Sequence, residues 1–475
     1  MSGNSSGDDE LIWASARDLT TRMQAGALSA REVTEAHLRR IDQVNPTLNA
    51  VVTLTAEHAM AQAAAADEAQ ARGDDLGPLH GLPAVHKDLH ETAGIRTTMG
   101  SPLFADNVPD RNAAIVQRML DAGAITVGKS NTPEFGAGSQ TFNPVFGATL
   151  NPYDTGRTCG GSSGGAAVAL ATGMVPIADG SDMGGSLRNP ASFCNVVGFR
   201  TSPGRIPVWP TISGWGNLGV HGPMARTVGD VALFLTGIVG ADPRSPISLP
   251  GAPSSFGRDL GRDLAGTRVA LSPRMGDLPI DPAVVSVVES TRAVFEGLGC
   301  EVVEHDPDLS AADDVFQTFR AWHFEMGFGR LLDQHPEQLK GTVQWNVERG
   351  RNQSGADVAA AERARTELFH RFGEFMADVD WLVLPAAQVP PFPVETEWVS
   401  EIDGVAMDTY IDWMKVCSRI TVTSHPAISV PGGFTDDGLP VGIQIVGRHL
   451  DDFGVLQLAH AFEQAHPVGA TRPVL

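Results

Sequence analysis

Two serines set among glycines are the residues of this chain best suited to covalent chemistry. Ser162 lies in the run GGSSGG, and Ser186 follows two glycines in the run DMGGSL. Glycines permit backbone conformations in which N–H groups approach a ligand closely. A serine hydroxyl beside such N–H groups suits acyl transfer, because the hydroxyl attacks a carbonyl and the N–H groups bind the oxyanion that forms. Ser186 fits this arrangement best.

Three simpler interpretations of this segment explain the sequence less well. A flexible Gly/Ser linker would not contain the apolar, helix-forming stretch 166–177. The G-x-S-x-G elbow of α/β-hydrolases matches twice, but it requires a strand immediately before it, and residues 151–157 have the composition of a turn. A phosphate-binding P-loop requires GK[ST] after its glycines, and that tripeptide does not follow here.

With these motifs, the chain resembles the amidase signature family of serine hydrolases. Ser162 and Ser186 stand 24 residues apart, which is the spacing of the two serines in that family. The family's G-[VIL]-P-x-x-x-K-D context is present upstream and contains Lys87. The resemblance covers about residues 10–465. Further similar segments lie at 129–136, 143–147, 198–205, 427–433 and 438–444.

The resemblance implies a Ser–Ser–Lys triad in place of Ser–His–Asp. Ser186 is the expected nucleophile and Lys87 the expected general base, with Ser162 as the proton relay between them, held by a cis peptide bond. A lysine amine with its ordinary pKa near 10.4 is protonated at neutral pH. Lys87 must therefore be buried, because desolvation penalises the ammonium and lowers its pKa.

An oxyanion hole is implied beside the nucleophile. The resemblance assigns it to the backbone N–H groups of Met183, Gly184, Gly185 and Ser186. Such donors stabilise the charge of the tetrahedral intermediate, and losing one costs on the order of 3 kcal/mol.

Five further residues are expected to support the site or to bind substrate. Ser163 is expected to form hydrogen bonds within the triad. Asp182 and Arg188 are expected to brace the loop that carries the nucleophile. Gly138 and Ser139 are expected to meet the substrate near its carbonyl group.

The sequence gives no reason to expect a metal or a cofactor. The four cysteines are far apart and form no CxxC pair, which disfavours a structural zinc site or a disulfide framework and suits a reducing compartment. His86 and His90 stand four residues apart, but no third ligand is evident and their segment has the pattern of a strand.

Composition and net charge limit the kinds of molecule that this chain is expected to bind. Hydrophobic residues at 42% and charged residues at 19% are typical of a globular protein with a sizeable core. The net charge of −22 argues against binding to nucleic acid or to an anionic membrane surface. No apolar run approaches the roughly 20 residues of a membrane span, and the first ten residues lack the pattern of a secretory signal. We therefore expect a cytoplasmic monomer or homodimer that acts on a small molecule.

Alternating helix and strand patterns predict an α/β fold. Ser29 and Glu32 form a capping box in front of a helical apolar pattern. The family resemblance implies the amidase signature fold, a mixed, twisted central β-sheet covered by α-helices on both faces. Helices are predicted at 55–72, 112–122 and 284–298, and buried strands at 124–128, 301–303, 381–385 and 441–446.

The sequence pattern predicts one domain. Residues 1–10 are polar and acidic and are expected to be disordered, and residues 11–475 are expected to form a single amidase domain. Its catalytic core is expected at about 80–210. The segment about 305–415 lacks the family's core motifs, and we expect it to shape the substrate site.

The expected activity is hydrolysis of carboxylic amides through an acyl-enzyme. Aromatic residues between 316 and 324, at 345, 398, 410 and 413, and at 209 and 215 favour a bulky, neutral, partly aromatic substrate, although any one of them is as well explained as core. Aryl amides and carbamates (urethanes) both fit, because they present the same carbonyl and the same amine leaving group to the triad. Esters are a further possibility.

Two other functions are left open. A glutaminase subunit of a tRNA-dependent amidotransferase would use the same triad, but the arginine- and tyrosine-rich sequence associated with that branch is absent from residues 205–210. An inactive binding homologue is disfavoured, because Lys87, Ser162 and Ser186 are all present.

Overall fold

The computed structural model describes residues 5–475 of the chain. Residues 1–4, part of the segment 1–10 that we expected to be disordered, lie outside the described residues. For residues 5–10 that expectation is wrong, because they begin a helix that spans Ser5–Trp13. Two hydrogen bonds of 2.8 Å from Arg39 to the carboxylate of Asp8 hold this helix to the one that contains Arg39. A bidentate pair of this kind is a strong tether that composition alone does not reveal.

Fifteen α-helices occur in the described residues, and together they surround the sheet. The helix predicted at 55–72 is present within one residue of those bounds, and a helix follows the capping box at Ser29. In chain order they are α1 (Ser5–Trp13), α2 (Ala16–Gln24), α3 (Ala30–Leu48), α4 (Ala56–Arg72), α5 (Ala114–Asp121), α6 (Gly164–Ala171), α7 (Arg188–Phe193), α8 (Val228–Ile238), α9 (Pro282–Ser290), α10 (Arg292–Gly297), α11 (Ala312–Gln334), α12 (Gly341–Arg351), α13 (Gly355–Asp378), α14 (Lys415–Val422) and α15 (Asp452–Ala465).

Fifteen strands occur in the same part of the chain, eleven of them in one sheet and the others in two small hairpins. In chain order they are β1 (Val51–Leu54), β2 (Pro83–Lys87), β3 (Ile125–Ser130), β4 (Phe142–Asn143), β5 (Gly147–Ala148), β6 (Ile177–Asp182), β7 (Val197–Arg200), β8 (Val220–Ala225), β9 (Arg268–Leu271), β10 (Glu301–Glu304), β11 (Trp381–Pro385), β12 (Glu401–Ile402), β13 (Val405–Ala406), β14 (Ala427–Phe434) and β15 (Pro440–Val446).

The large sheet is mixed, as predicted. Its strand order is β1-β3-β2-β6-β8-β7-β14-β15-β11-β9-β10. Strand β2 runs parallel to both β3 and β6, whereas β8 runs antiparallel to both β6 and β7. Every residue of β2, β3, β11 and β15 is buried, so both faces of the sheet are covered there.

The site is positioned by the middle of this sheet. Strand β2 ends at Lys87, and the neighbouring strand β6 ends at Asp182, just before the loop that carries Ser186. Helix α6 begins directly after Ser163, and all of its residues are buried behind β2, β3 and β6. The predicted capping box of α3 is also present, with hydrogen bonds in both directions between Ser29 and Glu32. None of the helices in the described chain combines the length and the apolar character that crossing a membrane requires.

Candidate active site

Lys87 lies at the centre of a cluster of serine hydroxyls. Its side chain is completely buried, and its Nζ is 2.7 Å from the Oγ of Ser162, 2.9 Å from that of Ser163 and 3.0 Å from that of Ser181. A neutral amine has two N–H groups and one lone pair, and a hydroxyl both donates and accepts, so three hydroxyls satisfy all of its hydrogen-bonding capacity. The surroundings are therefore complete for an uncharged lysine.

Burial also sets the charge of this lysine. It lowers the pKa of Lys87 to about 7, and the more distant carboxylates of Asp182 and Asp179 only partly oppose that shift. No carboxylate in the described chain forms an ion pair with Lys87 within 4.0 Å. A lysine with this pKa is substantially neutral at physiological pH and can accept a proton, which a general base must do.

Ser181 is a member of this cluster that was not predicted from the sequence. It lies on β6, two positions after Asp179, so both side chains are on the same face of the strand. A signal was present, because Ser181 is a polar residue in a buried strand that runs directly into the nucleophile loop. Only the pairing of β2 with β6, which the sequence does not reveal, brings Ser181 to Lys87.

Ser162 and Ser186 meet at one wall of a cavity. The peptide bond between Gly161 and Ser162 is cis, as the family resemblance implied. Both serines line the cavity, and the backbone N–H of Ser163 donates to the carbonyl oxygen of Ser186 at 3.1 Å. In the described residues Lys87 and Ser162 are hydrogen-bonded. The hydroxyls of Ser162 and Ser186 are not hydrogen-bonded to one another in this arrangement. Such contacts often close only when substrate is bound.

The predicted oxyanion loop offers three N–H groups in place of four. The N–H of Gly185 donates to Asp182 at 3.1 Å, so it is already occupied. Within the described chain, the N–H groups of Met183, Gly184 and Ser186 remain without a protein acceptor. Gly185 has a φ of 112°, and a Cβ there would lie 2.7 Å from the Cβ of Cys417, so only glycine fits.

Asp182 and Arg188, which we expected to brace the nucleophile loop, form a buried ion pair beside it. Arg188 donates to the two Asp182 oxygens at 3.0 and 2.8 Å, and Arg200 adds a contact of 3.3 Å. The N–H of Leu187 also donates to Asp182. Burial by itself would raise the pKa of Asp182, but the two guanidinium groups outweigh it and hold the pKa well below the usual range. Asp182 is therefore a permanent carboxylate that fixes both ends of the loop.

Gly138 and Ser139, which we expected to contact substrate, do not line the cavity. Ser139 is buried, and its hydroxyl lies 2.8 Å from the Sδ of Met414. Phe135 and Gly136, a few residues earlier, do line it. The substrate contact of Gly138 and Ser139 thus stays a prediction that this arrangement does not support.

The cavity has a volume of about 290 Å³ and mostly apolar walls. Its aromatic lining comes from Phe135, Phe324 and Phe328. None of the tryptophans that we expected there is among the lining residues. Trp413, for example, is part of the buried core, and Trp215 is 81% exposed. Aliphatic residues in the wall are Leu89, Ile206, Val208, Ile212, Val220 and Ile247.

His86 and His90 are both held by one buried carboxylate. Their Nδ1 atoms lie 2.6 and 2.7 Å from the two oxygens of Asp179, which also accepts a hydrogen bond from the N–H of Lys87. In residues 5–475, no group of three or more histidine, cysteine or acidic side chains is arranged to hold a metal ion. This pair therefore helps to fix the end of β2.

Comparisons with known proteins identify the family of this chain. Residues 32–456 match the family model described as Amidase. The chain is 36% identical over 472 residues to an acylamidase of Rhodococcus erythropolis, with 98% of both proteins covered. It is also 36% identical over 489 aligned positions to one of the subunits of the glutamyl-tRNA(Gln) amidotransferase of a Synechococcus species, with 96% of this chain and 98% of that protein covered. Its fold resembles that of a bacterial aryl acylamidase of the amidase signature enzymes, with a TM-score of 0.90, 29% identity, and 97% of this chain and 99% of that one covered.

The pKa of Lys87 predicts the pH dependence of catalysis. Because the base must be neutral and its folded pKa is lowered to about 7, kcat/KM should rise with pH through about 7 and level off above it. The measurement is kcat/KM for an anilide between about pH 5 and about pH 10, with circular dichroism at each pH as a check on folding. A rise centred near 10, the ordinary lysine value, would show that the lysine is not desolvated.

Asp182→Asn should destabilise the protein strongly. The substitution leaves the buried guanidinium groups of Arg188 and Arg200 without a counter-charge, a change that costs about 3–5 kcal/mol. Asp403→Asn is the matched control, because the 3.6 Å pair of Asp403 with Arg274 is half exposed and should contribute less than about 1 kcal/mol. Thermal denaturation of both variants tests this. Equal losses would mean that the Asp182 cluster does not support the fold.

Proposed function

This chain belongs to the amidase signature family and hydrolyses amides, and from that premise we propose that it cleaves bulky or aryl amides through an acyl-enzyme on Ser186. The observation that carries the proposal is the 2.7 Å contact between the buried Lys87 amine and Ser162, in a cluster that opens on the cavity lined by Ser186. This contact supports the assignment of Lys87 as the base, Ser162 as the relay and Ser186 as the nucleophile.

The proposed reaction begins with proton transfer. Neutral Lys87 takes the proton of Ser162, and Ser162 takes the proton of Ser186 as the Ser186 oxygen attacks the amide carbonyl. The negative charge that forms on the carbonyl oxygen is stabilised by the N–H groups of Met183, Gly184 and Ser186. The loop can hold these donors in place without substrate, because Asp182 already fixes it.

The second half of the reaction returns the proton. Protonated Lys87 gives its proton back through Ser162 to the leaving nitrogen, so the amine departs neutral. A water molecule then attacks the acyl-enzyme carbonyl and gives a proton to the same relay. The relay returns that proton to the Ser186 oxygen as its bond to the acyl carbon breaks, and the acid is released. The charge on Lys87 is transient, and the carboxylates of Asp179 and Asp182 stabilise it while it lasts.

The walls of the cavity support the choice of substrate. Three phenylalanines and six aliphatic residues favour an apolar or aromatic group next to the amide. Similarity to an acylamidase and to an aryl acylamidase points in the same direction. Carbamates belong to the same proposal, because the triad acts on their carbonyl and amine leaving group in the same way.

A glutaminase subunit of an amidotransferase is the second candidate. It is supported by the 36% identity to a component of the glutamyl-tRNA(Gln) amidotransferase. The lining weighs against it, because Asp182, the one carboxylate among the lining residues described, already pairs with Arg188 and Arg200 and is not free to bind the α-ammonium group of glutamine.

One panel of substrates distinguishes these functions. We expect release of aniline from a neutral anilide and from an aryl carbamate, and no release of ammonia from glutamine. Ser186→Ala should reduce the anilide rate by roughly 10⁴-fold or more, because the nucleophile is removed. Ser290→Ala, at an exposed position at the end of α9, is the matched control and should leave the rate unchanged.

Two results would count against the proposal. Turnover of glutamine without turnover of anilide or carbamate would favour the amidotransferase function. Anilide hydrolysis that survives in Ser186→Ala would show that a different nucleophile acts.

A further inference from the structure

One arginine in the wall of the cavity has no anionic partner. Arg320 lies on α11, is only 4% exposed and lines the cavity with Ser186. Within the described chain, no carboxylate lies within 4.0 Å of its guanidinium group. The buried Arg188 and Arg200 differ in this respect, because both pair with Asp182.

The partners of Arg320 are neutral. Its Nε and Nη2 donate to the hydroxyl of Tyr410 at 3.1 and 2.7 Å, and Asn346 donates to that same hydroxyl at 2.6 Å. Its guanidinium carbon lies 4.5 Å from the centre of the Phe324 ring. These contacts fix the guanidinium group in position and partly compensate its burial, but they bring no negative charge to it.

The remaining nitrogen of Arg320 contacts the loop that carries the nucleophile. Nη1 of Arg320 has only the Sδ of Met183 as an acceptor, at 3.4 Å, and a thioether is a weak acceptor. Met183 is also a residue of the oxyanion loop. Arg320, Met183 and Ser186 line the same cavity, so a substrate held at Ser186 can present a polar group to Nη1 in place of the thioether.

The other ionisable groups near the cavity leave this charge unbalanced. Asp182 is committed to Arg188 and Arg200. His323 and His221 also line the cavity, and burial lowers the pKa of both, so they are neutral at physiological pH. Arg320 is the one charged side chain of the cavity lining that the described residues do not pair with an opposite charge.

We propose that Arg320 binds a carboxylate that the substrate carries a few bonds from the amide carbonyl. The proposal rests on the amidase function proposed above and narrows its substrate class to apolar or aryl amides with one carboxylate. The aryl or alkyl part would contact the phenylalanine wall, and the carboxylate would form a charge-assisted hydrogen bond with Nη1. Arg320 would thus determine specificity and take no part in proton transfer.

Two pairs of anilides test this on the full-length protein. In the first pair the carboxylate is on the acyl side, with the mono-4-nitroanilide of succinic acid against the 4-nitroanilide of pentanoic acid. In the second it is on the amine side, with 4-acetamidobenzoate against acetanilide. Each is assayed with the wild type, Arg320→Met and Arg320→Lys.

In one of the two pairs, Arg320→Met should lower kcat/KM for the carboxylate-bearing anilide by roughly 10- to 100-fold. This is the effect expected from losing a hydrogen bond to a charged group. The uncharged partner should change by less than about 3-fold, and Arg320→Lys should retain part of the preference. Arg349→Met is the matched control, because Arg349 also lies over an aromatic ring, that of Trp345, but is exposed. Arg349→Met should leave kcat/KM unchanged for both members of each pair.

A binding measurement separates this proposal from the one on which it rests. Both carboxylate-bearing anilides are titrated into Ser186→Ala. For one of them, Ser186→Ala combined with Arg320→Met should weaken the binding by the same factor. Arg320-dependent binding without any anilide turnover would uphold the assignment of Arg320 and overturn the proposed activity. Turnover that Arg320→Met lowers equally for both members of each pair would overturn the assignment and uphold the activity, since Arg320 would then only support the Met183 loop.

Discussion

Desolvation of one amine is the constraint on which the rest of this structure depends. Lys87 is useful as a base only if water is kept from it, and the sheet accomplishes this by placing it at the end of a strand whose residues are all buried. A lysine that is shielded from water must form all of its hydrogen bonds with protein groups, and three serine hydroxyls supply them. Hydroxyls are suited to this place, because a carboxylate at the same distance would keep the lysine protonated.

Two carboxylates lie near Lys87, but both are paired with other groups. Asp182 neutralises two arginines and holds the nucleophile loop, and Asp179 binds two histidines and the backbone of Lys87. Both carboxylates are close enough to favour the charged lysine that forms during the reaction, and neither is close enough to form an ion pair with it. The fold therefore separates the groups that hold the site together from the group that moves the proton.

Local motifs explain what could be predicted from the sequence. The strand of Lys87 and the two serines follow from segments whose pattern is recognised within a few residues. The mixed sheet was expected from the family resemblance, because local periodicity does not show how strands pair. What failed depends on distant parts of the chain. Ser181 faces Lys87 only because β2 pairs with β6, Gly185 loses its N–H to Asp182, and Asp8 finds Arg39 from a position 31 residues away. The tryptophans were expected to line the substrate site and do not, because the sequence does not show whether an aromatic ring faces a cavity, the core or solvent.

The catalytic residues and the apolar lining of the cavity come from different parts of the chain. The end of β2, the loop before α6 and the turn after β6 carry Lys87, Ser162 and Ser186, whereas α11 and the irregular segment 204–219 carry much of the apolar lining. A substitution such as one at Phe324 or Ile212 changes the shape offered to a substrate and leaves the hydrogen bonds of Lys87 intact. New substrates can therefore be acquired by stepwise mutation of the lining while the hydrolytic machinery is inherited unchanged.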